Sequence, residues 1–246
     1  MRWFADKFIP ILQQKYPPEK VHTIVVWTKF PKAIVTSPYK EVLFRYDQIY
    51  CHITITGLGG TLIEPNVPPW QETLEILPEL IRFVGLSERV RVRPDPIIYL
   101  RYNGKLFSNV DLAKKIIQNA SRMGIKTFST SFVNIYPKVG ERLRKNGFVP
   151  LEYQASEKRQ IIIDLQKAAG ESGATLYTCA TPGFPSSKCI DGELLARLHP
   201  KNEPCRTDKA AGQRTLCGCT HSIDIGWYDM LCKSGCLYCY ANPDRP

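Results

Sequence analysis

Short apolar runs rich in β-branched residues recur along the chain and alternate with stretches of helical periodicity. Six runs of strand length, each bounded by glycine or proline signals, lie at 21–27, 49–56, 89–99, 126–133, 175–179 and 222–228. Apolar residues at helical spacing predict helices over 3–16, 70–84, 111–123 and 156–169. The first of these ends at a Pro-Pro pair and each of the others at a glycine. Strands that alternate with helices at this spacing indicate right-handed βαβ units and a parallel sheet.

Six such units predict an α/β protein with a TIM-like, partial β/α barrel of about six parallel strands. An open dinucleotide-binding sheet fits less well, because no Gly-x-Gly-x-x-Gly stretch opens the first helix. Residues 1–246 are interpreted as a single domain. Within it, residues 180–220 form a loop-rich insertion with four cysteines, and residues 223–246 supply the last strand and the loop that follows it.

The composition excludes two broad classes of protein. Of the 246 residues, 43% are apolar, which is too many for a chain that is disordered throughout. An integral membrane protein is excluded as well, because no run approaches the ~20 apolar residues of a membrane span. The N-terminal segment lacks the apolar core of a secretory signal, so we expect a cytoplasmic protein without a membrane partner.

Positive charge is concentrated in one part of the chain. The formal net charge is +10, and residues 101–150 hold ten Lys and Arg side chains against two acidic ones. Such an excess is typical of contact with phosphate, which makes nucleic acid a candidate substrate. The same side chains would equally well form the solvated outer face of helices, in which case the substrate is a small molecule or a peptide.

Cysteines are clustered toward the C-terminus. Six of the nine lie between Cys205 and Cys239, and in a reducing compartment such a cluster indicates metal ligands or redox chemistry rather than disulfides. Cys232, Cys236 and Cys239 are spaced as C-x3-C-x2-C. Three thiolates on one loop can each ligate one iron of a cubane cluster and leave the fourth iron open. A zinc site would need a further ligand that this triplet does not provide.

The triplet, with Tyr238 before its last cysteine and an apolar run before the loop, resembles the signature of radical SAM enzymes. Those enzymes carry the cluster loop after the first strand, whereas here the loop ends seven residues before the terminus. Circular permutation reconciles the two arrangements, since the termini of a barrel can be adjacent. The arrangement is similar to a family of uncharacterised proteins with a C-terminal cysteine cluster. The segments that carry the resemblance are WTKFP (27–31), EPNVPP (64–69), RPDP (93–96), CID (189–191), QR (213–214), CGC (217–219), SIDIG (222–226) and GCLYCYAN (235–242).

The resemblance implies a [4Fe-4S] iron–sulfur cluster at the triplet and S-adenosylmethionine (SAM) at its open iron. A reduced cluster of this kind cleaves SAM to a 5′-deoxyadenosyl radical, so the implied activity is that of an oxidoreductase or lyase on an unidentified substrate. The implied partner is an electron donor of ferredoxin or flavodoxin type. Trp27-Thr28-Lys29 stands where ordinary members have Gly-Gly-Glu, which leaves open an iron–sulfur enzyme that does not use SAM. A zinc-binding module that binds nucleic acid is the other alternative.

Several polar and glycine residues directly follow the predicted strands. In a β/α barrel the carboxyl ends of the strands line the active site, so we expect these residues to meet there with the cluster loop. The predicted catalytic residues, which can pair with an anion, orient a ribose or accept a proton, are Lys29, Arg93 and Asp95. The predicted cofactor-binding residues are those of a turn whose N–H groups can approach a ligand, together with the signature tyrosine: Gly57, Gly59, Gly60 and Tyr238. A structural ion pair and a plain glycine-rich turn are the alternatives.

The remaining cysteines of the C-terminal half form a second candidate site. Four thiols that come from three segments suffice for an auxiliary iron–sulfur cluster or a structural zinc ion, and free thiols are the alternative. The set is Cys179, Cys189, Cys217 and Cys219. Cys51 and Cys205 fall outside both sets, and Cys51 is interpreted as a small buried hydrophobe in its strand.

Overall fold

The computed structural model describes residues 2–226 and 231–243. Their strands, in chain order, are β1 Ile24–Thr28, β2 Ile49–Thr54, β3 Val90–Arg93, β4 Tyr99–Tyr102, β5 Lys105–Ser108, β6 Thr127–Thr130, β7 Phe148–Pro150, β8 Thr175–Thr178, β9 Leu231–Cys232 and β10 Asn242–Pro243. Their α-helices are α1 Ala5–Lys15, α2 Tyr39–Leu43, α3 Trp70–Glu75, α4 Leu77–Val84, α5 Val110–Arg122, α6 Pro137–Lys145, α7 Ala155–Glu171 and α8 Gly192–Leu198. None of these helices combines the length and the apolar character that a membrane span requires.

Five of the strands form a central parallel sheet in the order β1-β2-β3-β6-β8. Ile24 lies opposite Ile49, and Thr127 lies opposite Thr175, in two of its parallel pairs. Strands that are neighbours in the sheet follow one another along the sheet-forming part of the chain, with helices between them. The predicted alternation of parallel strands and helices is therefore confirmed, and the fold is of the α/β class.

Closure into a six-stranded barrel is not seen in the part of the chain that the structure describes. The edges of the central sheet there are β1 and β8. The structure describes residues 222–226 of the predicted sixth strand, 222–228. These residues have no regular secondary structure, so the prediction is wrong for them. An alternating run becomes a strand only where a partner takes up its hydrogen bonds and one face is buried, and Ile223 is 65% exposed. Residues 227 and 228 lie outside the described residues.

The third predicted strand, 89–99, is divided in the structure into β3 and β4. Pro94 and Pro96 lie between them and have no N–H to contribute to a ladder, so β3 ends at Arg93. The chain then enters a second, antiparallel sheet in the order β5-β4-β7, which the sequence pattern does not predict. The buried cluster beneath this small sheet includes a residue of the C-terminal loop; its members are Leu58, Ile63, Ile98, Leu100, Val139, Leu143, Phe148 and Leu237.

Helix boundaries follow the local backbone chemistry. α4 ends at Gly85, whose φ of 86° lies in the left-handed region that favours glycine. The predicted helix over 70–84 is interrupted at Ile76 and forms α3 and α4. Pro78, in the first turn of α4, explains the interruption because it lacks the N–H that a continuous helix would use. α7 begins with a capping box formed by Gln154 and Glu157.

The main core lies between the central sheet and the helices that cover it. Val92 and Phe128, opposite each other on β3 and β6, are fully buried. Leu80 of α4 and Ile116 of α5 belong to the same buried cluster. Burial of such side chains is the dominant favourable term in folding. The sheet is thereby a fixed platform from which the loops after its strands extend.

We expect Phe128→Ala to lower the free energy of unfolding by about 3–5 kcal/mol, because removal of a fully buried ring leaves a cavity. The measurement is denaturant-induced unfolding of anaerobically purified protein, followed by circular dichroism. Phe44→Ala is the matched control: its ring is 77% exposed, and the free energy of unfolding should change by less than about 0.5 kcal/mol. Equal losses in the two variants would contradict this assignment of the core.

Candidate metal centre

The strands of the central sheet are parallel, so their carboxyl ends lie along one edge, here called the carboxyl edge. Lys29 directly follows β1, Thr56 lies two residues after β2, and Arg93 is the last residue of β3. Ser131 follows β6, and Cys179 follows β8. Lys29 and Arg93, which were predicted from their position after strands, and Cys179 of the second cysteine set therefore lie on one side of the sheet.

A buried carboxylate, Glu64, joins the strand ends to the C-terminal cysteines. Its Oε1 accepts hydrogen bonds from Thr56 Oγ1 at 2.8 Å and from Lys29 Nζ at 2.9 Å. The hydroxyl of Tyr238 donates to the same oxygen, and Lys29 Nζ donates to the tyrosine oxygen at 2.8 Å. The side chain of Glu64 is 1% exposed and that of Lys29 is 17% exposed. Charges buried this deeply require satisfied partners, so these side chains position one another.

The two oxygens of this carboxylate differ in their contacts. Glu64 Oε1 accepts three hydrogen bonds, whereas Oε2 is buried and has no hydrogen-bond partner among the residues described. Burial raises the pKa of Tyr238 well above its ordinary value, and the charge of Glu64 raises it further. The phenol therefore stays protonated near neutral pH and keeps its hydroxyl engaged with the carboxylate.

Backbone contacts anchor the cysteine loop, residues 232–239, from two sides. Leu237 is fully buried, and its N–H donates to Ile63 O at 2.9 Å. On the other side, Arg142 of α6 donates from Nη1 to Leu237 O at 3.0 Å and to Cys239 O at 2.6 Å. The loop is therefore held between the segment that carries Glu64 and the basic helix α6.

The three thiols of the cysteine loop share one electrostatic environment. Burial raises the pKa of Cys236 to about 12; Lys29 opposes this shift, whereas Glu64, Cys239 and Cys232 add to it. Burial likewise raises the pKa of Cys239. Across residues 2–226 and 231–243, no three His, Cys, Asp or Glu side chains already form a group that could hold a metal ion. A metal would therefore have to displace the thiol protons and draw the sulfurs together.

Arg93 and Asp95 form a second charged group at the carboxyl edge. Arg93 Nη2 donates to Asp95 Oδ2 at 2.7 Å, and Ser131 Oγ donates to Asp95 Oδ1 at 2.5 Å. Burial lowers the pKa of Arg93, but the negative charge of Asp95 and of two nearby thiols more than offsets this, so the pKa is raised. The charge of Asp95 also raises the pKa of Tyr238. This ion pair therefore acts electrostatically on Cys179 and Cys189 and on Tyr238 of the cysteine loop.

The three glycines that were predicted to bind a cofactor lie in the segment that delivers Glu64 to the carboxyl edge. Gly57 and Gly60 have φ values of 82° and 78°, in the left-handed region. A Cβ on Gly59 would lie 1.9 Å from Pro68 O, so a larger residue does not fit there. The N–H of Gly60 donates to Glu64 O at 3.0 Å. These glycines allow the close packing of the segment, and the Gly60 N–H is used within the protein.

The second set of cysteines is brought together from three segments. Cys179 follows β8, Cys189 precedes α8, and Cys217 and Cys219 lie in the long loop after α8. The N–H of Cys189 donates to Cys219 Sγ at 3.2 Å, and Arg214 Nη2 donates to Cys179 Sγ at 3.1 Å. The interaction with the Cys189 thiol lowers the pKa of Cys179 to about 7. Thiols from distant parts of the chain are thus neighbours beside an arginine.

The two remaining cysteines were assigned to neither set. Cys51 is fully buried in β2, where burial raises the pKa of its thiol, as expected of a small core residue. Cys205 packs against a small buried cluster that includes Tyr50 and Ile190. Neither thiol is part of the arrangement at the carboxyl edge.

Three side chains at the carboxyl edge are not predicted as site residues from the sequence: Glu64, Ser131 and Arg142. Glu64 carries a usable signal, because it is the one charged residue in positions 55–69 and lies in an apolar, Gly- and Pro-rich segment. Ser131 and Arg142 carry none: a serine after a strand is common, and the arginine is one of several basic residues in its helix.

We expect Glu64→Gln to lower the free energy of unfolding by about 3–5 kcal/mol, because the largely buried Lys29 ammonium loses its counter-charge. The double variant Lys29→Met/Glu64→Gln should recover part of this loss, since neither charge then remains buried. Glu141→Gln is the control, because its pair with Lys145 is exposed and the free energy of unfolding should change little. Denaturant unfolding measures all three, and equal losses for the two glutamine variants would refute the role given to Glu64.

Residues 9–241 match the profile of a family described as "Domain of unknown function (DUF1848)". No curated protein matches the chain. Among solved structures, the apo form of 3-keto-D-glucoside 4-epimerase, YcjR, from E. coli is similar at 14% identity and a TM-score of 0.34, over 74% of this chain and 65% of that one. The chain thus spans less than two thirds of the epimerase's length. Since the family profile covers nearly the whole sequence, the chain belongs to the DUF1848 family.

Proposed function

We propose that this protein is an iron–sulfur redox enzyme of the radical SAM type, in which Cys232, Cys236 and Cys239 hold a [4Fe-4S] cluster. The observation that carries the proposal is the presence of three thiols on one anchored loop at the carboxyl edge of a parallel sheet, beside Lys29 and Glu64. Three thiolates leave one iron of a cubane without a protein ligand, and a cofactor can bind there. In this proposal the five-stranded sheet belongs to a circularly permuted, TIM-like partial barrel.

The charges around the cysteine loop suit a cluster with three thiolate ligands. Two cations lie beside the thiols: Lys29 at Cys236 and Arg142 at Cys239, where each partly offsets the rise in pKa that burial causes. Their positive charge favours the deprotonated thiols that ligate metal. A closed zinc site would need a fourth ligand, which the three cysteines of the loop do not provide. These features favour a cubane over a mononuclear zinc ion at the loop.

Apolar side chains enclose one side of the loop. Cys236 is buried together with Phe30 and Val67, and Trp3 packs against the same cluster. An apolar wall of this kind limits the access of water and strengthens local electrostatic interactions. The polar strand ends would then form the open side, where a cofactor and a substrate enter.

A cluster held by Cys232, Cys236 and Cys239 would supply the electron for the reductive cleavage of SAM, which is the source of a radical that abstracts hydrogen. The chain's own part is to bind and orient. Arg93 offers a guanidinium to a carboxylate, and Asp95, fixed by Ser131, can accept a hydrogen bond from a ribose hydroxyl. Lys29 is fixed by Glu64 at the position where ordinary members have Gly-Gly-Glu, so in this proposal it supports the wall of the site.

An electron donor is required, and we propose a small acidic carrier of ferredoxin or flavodoxin type in a reducing cytoplasm. α6 presents exposed basic side chains next to the loop that Arg142 holds: Lys138, Arg144 and Lys145. A basic surface beside a redox centre suits an acidic partner. The exposed lysines of α5, by contrast, lie opposite its buried face, as a solvated helix surface does. The proposed substrate is therefore a small molecule or peptide rather than nucleic acid.

We expect Cys232→Ala/Cys236→Ala/Cys239→Ala to remove about four irons per chain from the anaerobically purified protein, because the cluster loses its ligands. Iron, sulfide and zinc analysis is the measurement. Cys205→Ala is the matched control, since this thiol lies outside both cysteine sets and its loss should leave the iron content unchanged. Iron retained in the triple variant would refute the ligand assignment, and zinc lost with these three residues would favour a zinc-binding module.

The reduced, cluster-loaded protein is expected to release 5′-deoxyadenosine from SAM, and SAM should alter the electron paramagnetic resonance spectrum of the cluster. Arg93→Gln should raise the SAM concentration needed for half of this spectral change by about 10–100-fold, as for the loss of a charged hydrogen bond. Arg122→Gln, at an exposed position of α5, is the matched control. If neither product nor spectral change is observed, the protein is an iron–sulfur enzyme that does not use SAM.

A further inference from the structure

We propose that Cys179, Cys189, Cys217 and Cys219 form a second metal site, a closed tetrathiolate site that binds a zinc ion and cross-links the C-terminal third of the chain. None of these four residues belongs to the cysteine loop, so the site goes beyond the proposed function and does not depend on it.

Backbone hydrogen bonds bring the three segments that carry the four thiols side by side. The Ser187 N–H donates to Thr178 O at 2.6 Å, and the Thr220 N–H donates to Ile190 O at 3.0 Å. The Cys189 N–H also donates to Cys219 Sγ at 3.2 Å. Such N–H···S bonds orient the sulfurs of metal-binding cysteines. The fold thus carries the four thiols to one region, where a zinc ion would draw their sulfurs together into a four-cysteine site.

The number and type of the donors suit a single zinc ion. Four thiolates complete the tetrahedral coordination of zinc without a further ligand. A cubane cluster is the other group that four cysteines can hold, and metal analysis distinguishes the two. Zinc binding would replace the thiol protons and draw the four sulfurs toward a common point.

Positive charge lies beside this set. Arg214 Nη2 donates to Cys179 Sγ at 3.1 Å, and Arg93 lies within electrostatic range of both Cys179 and Cys189. Four thiolates around a dication leave two negative charges, which Arg214 partly offsets, whereas Arg93 is already paired with Asp95. The surroundings therefore suit the thiolate form that zinc requires.

The segment before Cys189 is held firmly by the central sheet. His52 Nε2 of β2 lies 2.7 Å from Cys189 O, and Arg91 Nη1 of β3 donates to Lys188 O at 2.9 Å. One ligand is thus fixed to the sheet, and Cys179 follows a sheet strand directly. The remaining two ligands would be tied to this fixed part by the metal.

The region that the zinc ion would cross-link has little regular structure. Within residues 179–226, all of which the structure describes, α8 is the only α-helix and there is no strand. Two isolated β-bridges also involve this region, and they pair Thr178 with Ser186 and Lys209 with Thr220. Residues 200–216 are largely exposed. A segment that buries so few apolar side chains gains its order from a cross-link, which a structural zinc ion supplies.

The test is zinc and iron analysis of the full chain in three backgrounds. Wild-type protein and the triple alanine variant of the cysteine loop are each expected to hold about one zinc per chain. Cys189→Ser/Cys219→Ser should lower the zinc content at least about tenfold, whereas the matched control Cys205→Ser should retain it. Loss of iron with retention of zinc in the loop variant supports this site. Because iron and zinc are measured separately, the result for zinc does not depend on whether the proposed function is correct.

Two measurements on wild-type protein keep the proposal testable if the serine variant does not fold. Cobalt(II) exchanged for zinc should give thiolate-to-cobalt charge-transfer bands and the d–d spectrum of a tetrahedral site. Removal of the metal by a chelator should accelerate proteolytic cleavage within residues 200–216. The proposal is overturned if a thiol reagent titrates all four cysteines in the native, metal-replete protein. It is equally overturned if the loop variant retains about four irons, because the second site is then an iron–sulfur cluster.

Discussion

The buried Glu64 carboxylate is the constraint on which the carboxyl edge depends. An isolated charge at this depth would cost several kcal/mol, and it is tolerated because Lys29, Thr56 and Tyr238 all direct a donor at one of its oxygens. These three donors come from the ends of two strands and from the C-terminal loop. Each segment is therefore satisfied only when the others are in place, and the cysteine loop is fixed by the same contacts that neutralise the carboxylate.

The fold could be predicted from the sequence wherever neighbouring residues in the chain determine the local structure. Strand-length apolar runs identify the strands of the central sheet, and a glycine such as Gly85 ends its helix because its own φ requires it. Prediction fails where the structure of a segment depends on its pairing with a distant part of the chain. Pro94 and Pro96 end β3 and send the chain into a separate antiparallel sheet whose pairing no local pattern records. The run at 222–226 has the alternation of a strand, but its described residues do not pair with another strand, and all of them except the half-buried Ile225 are exposed.

The candidate site could be predicted in part, for a reason that follows from topology. Parallel strands place their carboxyl ends on one edge, so Lys29, Arg93 and Asp95 are found from their position after a strand alone. Glu64 and Arg142 are missed because their roles depend on contacts with the cysteine loop, more than 90 residues away along the chain. The glycines at 57–60 do lie where another group comes close to their backbone, but that group is the protein's own backbone at Pro68.

One ion pair lies between the second cysteine set and Tyr238 of the cysteine loop. Thiolate charge at the second set raises the pKa of Arg93, and the charge of Asp95 acts on Cys179 as well as on Tyr238. In a poorly solvated site such interactions are only weakly screened. A negatively charged tetrathiolate site would therefore strengthen the hold on Arg93, and a carboxylate bound at the proposed cluster would compete with Asp95 for the same guanidinium. Occupancy of one proposed site would then change the free energy of binding at the other.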